Sequence, residues 1–182
     1  NLYNESAGIL YASSILGNQL CVSTGVALGN KVKNVNGLAI VITGDGAMEE
    51  GSFYESLVFM KTCSTPAMVI VENNGWSLGT QIHERRCSID LKKYADSLNI
   101  SYDHLSGNDP YQYIESLQGI RKKALKDCSP CVVEVDLKTL GDWSMETDEF
   151  PEGKFINYHA GVAPNIEVRE WPVIEESAYD PV

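Results

Sequence analysis

Residues 43–51 read Thr-Gly-Asp-Gly-Ala-Met-Glu-Glu-Gly and residues 71–76 read Val-Glu-Asn-Asn-Gly-Trp; together these two stretches determine the predicted fold class. Each follows a short apolar run rich in β-branched residues, at residues 38–42 and 67–71, which predicts a fully buried strand of a parallel sheet. Both polar stretches are therefore expected at carboxyl ends of strands. That edge of an open α/β sheet binds ligands, because helices begin there with unpaired N–H groups.

The residue types in the two stretches indicate a site for a metal ion and a phosphate. Asp45 offers a carboxylate and Asn74 an amide oxygen, which are the hard ligands that Mg²⁺ prefers. Gly44 and Gly46 would allow a phosphate to approach the backbone closely and would allow dihedral angles that other residues avoid. A helix beginning near Gly51 would add its positive end. Alternatively, each stretch is a plain turn; two of them, each after a buried strand, favour the site.

The pair of motifs resembles the cofactor motif of thiamine diphosphate-dependent enzymes, with Asp45 and Asn74 separated by 29 positions. Residues 44–57 and 72–80 most resemble the alpha subunit of 2-oxo acid dehydrogenases, and the resemblance covers residues 9–137. The resemblance implies that Asp45, Asn74 and the backbone carbonyl of Trp76 hold Mg²⁺. It also implies that Gly44, Gly46 and Ala47 lie against the cofactor diphosphate. The implied fold is α/β, a mostly parallel sheet flanked by helices.

Residues 13–29 resemble the family segment that precedes the Gly-Asp-Gly strand and grips the aminopyrimidine ring. By position this implies that Ser14, Ile15 and Leu16 contact the cofactor. Ser14 departs from the glycine common in the dehydrogenases and is closer to transketolases. Ile15 and Leu16 are alternatively ordinary core residues. Small residues follow in the same segment and predict a helix that can pack closely against a neighbour; they are Ser23, Gly25, Ala27 and Gly29.

With this resemblance we expect a cofactor-binding domain over residues 1–140 and an irregular C-terminal arm or lid over residues 141–182. The arm lacks clear periodicity and departs from the dehydrogenase alpha subunits, which carry a His-rich loop after the preceding strand. Residues 158–165 instead resemble the transketolase segment in which a histidine faces substrate. His159 is therefore the candidate catalytic acid or base, because imidazole changes charge near neutral pH. Alternatively, His159 has a structural role.

Composition limits the classes of partner and compartment. The 182 residues carry a net charge of −11 and a pI near 4.6, which argues against nucleic acid and against an anionic membrane surface. No apolar run reaches the roughly 18 residues of a membrane span, so we expect a cytoplasmic or organelle-matrix protein. The five cysteines indicate reduced thiols, and Cys128-Ser-Pro-Cys131 favours a turn over a redox or zinc site. A first residue that is not Met suggests a processed or excised piece.

The remaining segments are predicted to form helices, strands and one long loop. Helices are expected over residues 52–61 and 90–98, and from Pro110 to about Lys126 with Asp109 as the capping residue. Strands are expected over residues 100–103 and 131–137. Residues 75–87 form a polar loop, whose length and position favour a functional role, although His83 there is alternatively a solvated surface residue.

The resemblance implies a thiamine diphosphate- and Mg²⁺-dependent 2-oxo acid dehydrogenase that acts as an alpha-type subunit. Transketolase-like ketol transfer and a non-catalytic, degenerate subunit are the alternatives. Family enzymes place the cofactor between two domains, and the second supplies a glutamate that activates the aminopyrimidine. This chain matches the first domain, so a beta-type partner subunit in a hetero-oligomer is implied, and the chain alone is expected to be inactive. The substrate, a 2-oxo acid or a ketose, is not identified by the sequence.

Overall fold

Helices and strands alternate along most of the chain. The computed structural model describes residues 3–77, 80–107, 109–137, 144–145, 148 and 154–155. The described helices are α1 (Asn18–Val32), α2 (Gly51–Thr62), α3 (Ile82–Arg85), α4 (Leu91–Ser97) and α5 (Pro110–Asp127). The described strands are β1 (Ala39–Gly44), β2 (Ala67–Asn73), β3 (Trp76–Ser77), β4 (Thr80–Gln81), β5 (Ser101–Leu105), β6 (Cys131–Asp136), β7 (Ser144–Met145) and β8 (Lys154–Phe155). Short 3₁₀ turns cover Glu5–Ala7 and Asp45–Glu49.

A parallel sheet organises the described residues, and it confirms the predicted fold class. Four strands lie in the order β1-β2-β6-β5, and all three neighbouring pairs are parallel. Gly44 pairs with Glu72, and Asn73 pairs with Asp136, so the strands end at one common edge. The register therefore places the predicted site motifs side by side.

Apolar side chains cover the two faces of the sheet unequally. Helices α1, α2 and α4 contribute to the larger cluster on one face, which includes Leu20, Phe53, Leu57, Met60, Val69, Leu91 and Val132. Helix α5 contributes to the smaller cluster on the other face, through Ile120 and Ala124 against Met68, Val133 and Val135. Burial of these side chains supplies the main favourable free energy of folding.

The burial of strand β1 differs from the prediction. Residues 38–42 were expected to form a fully buried strand, but Ile40 is 53% exposed and Ile42 is 56% exposed. Strand β1 lies at the end of the strand order, and α5 packs over β2 and β6 instead, so the described residues cover only one face of β1. Strand β2 has both neighbours and is buried as predicted, at Met68, Val69 and Val71.

The helices predicted over residues 52–61, 90–98 and 110–126 are confirmed within two residues at each end, whereas the helix predicted in the segment 13–29 begins at Asn18 and ends at Val32. In α2, Phe53, Leu57 and Met60 are fully buried, as their spacing predicts. Asp90 caps α4 by accepting a hydrogen bond from the Lys93 N–H at 2.9 Å. Asp109 caps α5 by accepting one from the Tyr111 N–H at 2.9 Å, and Pro110 follows at the first helical position.

The Cys128-Ser-Pro-Cys131 segment forms the turn that the sequence favours. Cys128 ends α5 in the left-handed conformation, and Cys131 begins β6. Burial raises the pKa of the Cys131 thiol to about 12, so this cysteine is unreactive near neutral pH. All five cysteines lie in the described part of the chain and are free thiols.

The predicted loop at residues 75–87 has more structure than expected. Strands β3 and β4 pair antiparallel, and α3 follows them directly. A capping box begins α3: the Gln81 side chain accepts from the third helical N–H, and Glu84 Oε2 accepts from the Gln81 N–H at 2.8 Å. The spacing of Gln81 and Glu84 is the feature of the sequence from which this helix could have been predicted.

Little of the predicted C-terminal arm, residues 141–182, falls in the described ranges. Strands β7 and β8 pair antiparallel there, through Ser144 with Phe155 and Met145 with Lys154. His159 lies outside the described residues. No helix within the described ranges is long and apolar enough to cross a membrane.

Candidate functional site

The two predicted motifs meet at the carboxyl ends of β1 and β2. Asp45 begins the 3₁₀ turn that follows β1 directly, and Asn74 is the first residue after β2. Because the strands are adjacent and Gly44 pairs with Glu72, both residues leave the sheet at neighbouring points of one edge. The parallel register is what unites residues 29 positions apart.

Asp45 is a buried carboxylate with a cationic partner. It is 1% exposed, and its Oδ2 lies 2.8 Å from Nη2 of Arg85. Burial raises the pKa of Asp45 above its ordinary value, while the Arg85 guanidinium acts to lower that pKa. The site therefore favours a positive charge beside this carboxylate.

Glu49 extends this cluster of charges. Arg85 Nη1 contacts Glu49 Oε1, and Arg86 Nε lies 3.3 Å from the same oxygen. Arg86 Nε is close enough for an ion pair, but it lacks a hydrogen bond with acceptable angles within the described residues. Sequence analysis placed Arg85 in a functional loop without finding its partners, because 40 residues separate it from Asp45.

Both asparagines of the second motif shape the turn after β2. Asn74 Oδ1 accepts a hydrogen bond from the Trp76 N–H at 2.9 Å, and Asn73 Oδ1 accepts one from the Gly75 N–H at 3.3 Å. Gly75 has a φ of 76°, a left-handed conformation that glycine adopts without strain. After this turn the chain enters β3, which lies beside the Asp45 turn.

Glu134 fixes the base of this turn, and sequence analysis did not single it out. Its Oε1 accepts a hydrogen bond from Asn73 Nδ2 at 2.8 Å, and its Oε2 accepts one from the Tyr102 hydroxyl at 2.6 Å. Burial, and then the Glu134 carboxylate, raise the pKa of Tyr102 well above its ordinary value. An acidic residue within the Val-rich strand β6 was the available signal, because a partly buried carboxylate needs hydrogen-bond donors.

The predicted reasons for Gly44 and Gly46 are partly wrong. Neither glycine has a positive φ; in the described residues such glycines are Gly8, Gly17, Gly75 and Gly107. A Cβ added at Gly46 would lie 2.9 Å from Ser77 Oγ and 3.5 Å from Arg85 Nη1. The close approach of Ser77 on β3 therefore disfavours a larger residue at Gly46. Ala47 lies in the same buried turn.

The segment before α1 reaches the same edge of the sheet. Gly17 immediately precedes α1, and its carbonyl accepts a hydrogen bond from Ser52 Oγ at 3.4 Å. In the first turn of α1, Gln19 Nε2 donates a hydrogen bond to Thr43 Oγ1 at 3.4 Å. Ser14 is exposed, Ile15 is 65% exposed and Leu16 is 52% exposed. The alternative that Ile15 and Leu16 are ordinary core residues is wrong for the described part of the chain.

Two side chains at this edge carry oxygen atoms of the kind that a small divalent cation prefers. Asp45 and Asn74 supply hard oxygen atoms, and the pairing with Arg85 shows that a cation is stabilised beside Asp45. No three His, Cys, Asp or Glu side chains converge within the described ranges, so amide and backbone oxygens would have to complete a metal site. Gln19 Oε1 is a buried acceptor without a partner among the described residues, close to Thr43.

Comparisons with known proteins identify a family and several similar chains. The family described as Dehydrogenase E1 component matches residues 1–149. The chain is similar to proteins named pyruvate dehydrogenase E1 component subunit alpha: 28% identical over 149 residues in Staphylococcus epidermidis and in Bacillus cereus, and 27% in Bacillus subtilis. Each alignment covers 82% of this chain and 40% of the relative. The chain thus spans about 40% of the length of these relatives.

Solved structures support the fold. A chain from Mycobacterium smegmatis, described as a candidate thiamin diphosphate-dependent enzyme, superposes with a TM-score of 0.56 at 17% identity, covering 72% of this chain and 24% of that one. A transketolase from Campylobacter jejuni superposes with a TM-score of 0.53 at 20% identity, covering 66% of this chain and 20% of that one. At these identities the likeness shows a shared fold.

Proposed function

This chain belongs to the dehydrogenase E1 component family, and on that premise we propose that it binds the diphosphate end of thiamine diphosphate in a 2-oxo acid dehydrogenase, as the alpha-type subunit. The observation that carries the proposal is the meeting of the Asp45 turn and the Asn74 turn at the ends of adjacent parallel strands. A family match over residues 1–149 supports it independently of that geometry.

Each part of the proposed site has a role for this chain. Asp45, Asn74 and the Trp76 carbonyl would hold Mg²⁺, and the turn containing Gly44, Gly46 and Ala47 would hold the diphosphate. The exposed residues Ser14, Ile15 and Leu16 would contact the aminopyrimidine end, because their segment reaches the same edge of the sheet. When bound, thiamine diphosphate would supply carbanion chemistry at a substrate carbonyl, and this chain's residues would supply placement, charge and exclusion of water.

The C-terminal arm, residues 141–182, is proposed to act as a lid over the cofactor. His159 is proposed to move a proton at the substrate, since imidazole both donates and accepts near neutral pH. The resemblance of residues 158–165 to a transketolase segment supports this role.

A beta-type subunit is proposed to complete the active site in a hetero-oligomer. It would supply the pyrimidine-side domain and the activating glutamate. On this chain, Gly25 and Gly29 of α1 have open space within 4 Å, and Ile15 and Leu16 are exposed. These features offer a surface on which another chain can pack closely. A cytoplasmic or organelle-matrix location is proposed for the assembly.

The proposal is tested by assaying the chain alone and with a beta-type E1 subunit, in the presence of Mg²⁺ and thiamine diphosphate. We expect release of CO₂ from a 2-oxo acid by the pair and none by the chain alone. Transfer of a two-carbon ketol unit without decarboxylation would instead indicate the transketolase-like alternative. Cofactor binding without either activity would indicate the non-catalytic subunit.

A further inference from the structure

We propose that Arg85 competes with the metal ion for Asp45, so that metal binding requires the guanidinium to leave this carboxylate. The inference rests on the proposed function, because it takes Asp45 as the ligand of a divalent cation. Its basis is that Arg85 already bonds to the proposed metal ligand through a direct contact of 2.8 Å.

Arg85 is fixed by several contacts. Its Nη2 donates to Asp45 Oδ2, its Nη1 donates to Glu49 Oε1, and its Nε donates to the Thr80 carbonyl at 3.3 Å. Its side chain is 11% exposed. Hydrogen bonds between charged groups are stronger than those between neutral groups, and this side chain is largely buried. Moving Arg85 away from Asp45 therefore has a measurable free-energy cost.

Charge and geometry make the two cations competitors. A divalent ion bound to Asp45 would place two further positive charges beside the guanidinium, at a distance where like charges repel strongly in a buried site. Glu49 and the Thr80 carbonyl do not belong to the proposed metal site, and both contact Arg85 independently of Asp45. Arg85 can therefore give up Asp45 and remain attached to the loop through these two partners.

The test is a titration of Mn²⁺ in the presence of fixed thiamine diphosphate, with bound metal measured by electron paramagnetic resonance. Arg85→Gln is expected to bind Mn²⁺ about tenfold more tightly than the wild type, because the competing charge-assisted hydrogen bond is gone. Arg86→Gln is the matched control. It removes the same charge from the neighbouring residue, whose side chain also pairs with Glu49. Its effect is expected to be less than about threefold.

A second control and a second variant complete the design. Lys92→Gln removes one charge from an exposed pair on α4 and is expected to leave Mn²⁺ affinity unchanged. Arg85→Lys keeps the charge without the forked geometry and is expected to fall between wild type and Arg85→Gln. It also decides the question if circular dichroism shows that Arg85→Gln is misfolded.

Each other result overturns the inference. Weaker Mn²⁺ binding in Arg85→Gln would show that Arg85 assists the metal or the diphosphate. Equal tightening in Arg85→Gln and Arg86→Gln would show a general effect of charge. Equal affinity in wild type and Arg85→Gln would refute competition and leave the proposed function standing. Failure of every variant to bind Mn²⁺ would overturn the proposed function as well.

Discussion

Gly46 is the residue at which β3 comes closest to the Asp45 turn. The Cβ of an alanine there would lie 2.9 Å from Ser77 Oγ and 3.2 Å from Ser77 Cβ. We therefore expect Gly46→Ala to destabilise the protein by about 1–3 kcal/mol, as overpacking of a close contact does. Denaturation in urea, followed by circular dichroism, measures the change.

Two further variants test the cause of that destabilisation. Gly46→Ala combined with Ser77→Gly should recover most of the lost stability, because the clashing atoms are removed. Gly25→Ala lies in the interior of α1 with open space around the new methyl group and should be neutral or stabilising. An equal loss of stability in Gly46→Ala and in the double variant would refute the contact with Ser77 as the cause.

Asp45 and Arg85 show how far residue-level prediction from sequence extends. The position of Asp45 at the carboxyl end of β1 could be predicted because Gly-Asp-Gly follows an apolar run and Asn-Asn follows the next. Arg85 could be assigned to the loop but not paired with Asp45, since its position depends on the β3–β4 hairpin and the capped turn of α3. A local sequence pattern predicts which type of side chain could bind a metal ion. Tertiary structure decides which other side chain it contacts.

At the scale of elements, Glu134 on β6 connects three strands of the sheet. Its two oxygens accept from Asn73 on β2 and from Tyr102 on β5. We expect Tyr102→Phe to destabilise the protein by about 1–3 kcal/mol, because a hydrogen bond to a charged acceptor is lost. Tyr111→Phe, at an 80% exposed tyrosine, is the matched control and should change stability by less than about 0.5 kcal/mol. Equal free energies of unfolding for both variants would contradict a stabilising role for the Tyr102–Glu134 contact.

Strand β1 shows why element-level prediction was incomplete. Its run of apolar residues lacks alternation, so the sequence predicted burial on both faces, yet Ile40 and Ile42 are half exposed. The exposure follows from the end position of β1 in the sheet and from the placement of α5 over β2 and β6. Neither feature is encoded in the residues of β1 themselves. Helix α2, in contrast, was predicted accurately because Phe53, Leu57 and Met60 recur at helical spacing.

At the scale of the whole molecule, one parallel sheet explains both the fold prediction and the site prediction. The alternation of strands and helices predicted the α/β class, and in that class the carboxyl ends of neighbouring strands converge on one edge. Asp45 and Asn74 therefore could be placed together from sequence alone. His159 could not be placed in the same way, because no periodic pattern in residues 141–182 connects it to the sheet.

The central claim is that this edge binds a metal ion and the diphosphate of thiamine diphosphate through Asp45. Its most direct test is calorimetric titration of thiamine diphosphate in the presence of Mg²⁺, for the wild type and for Asp45→Asn. The substitution keeps the size of the side chain and removes its negative charge, while Arg85 retains Glu49 as a partner. We predict a folded variant whose Mg²⁺-dependent affinity is lower by roughly a hundredfold, as expected for loss of a metal ligand. Unchanged Mg²⁺-dependent affinity in a folded Asp45→Asn variant would contradict the claim.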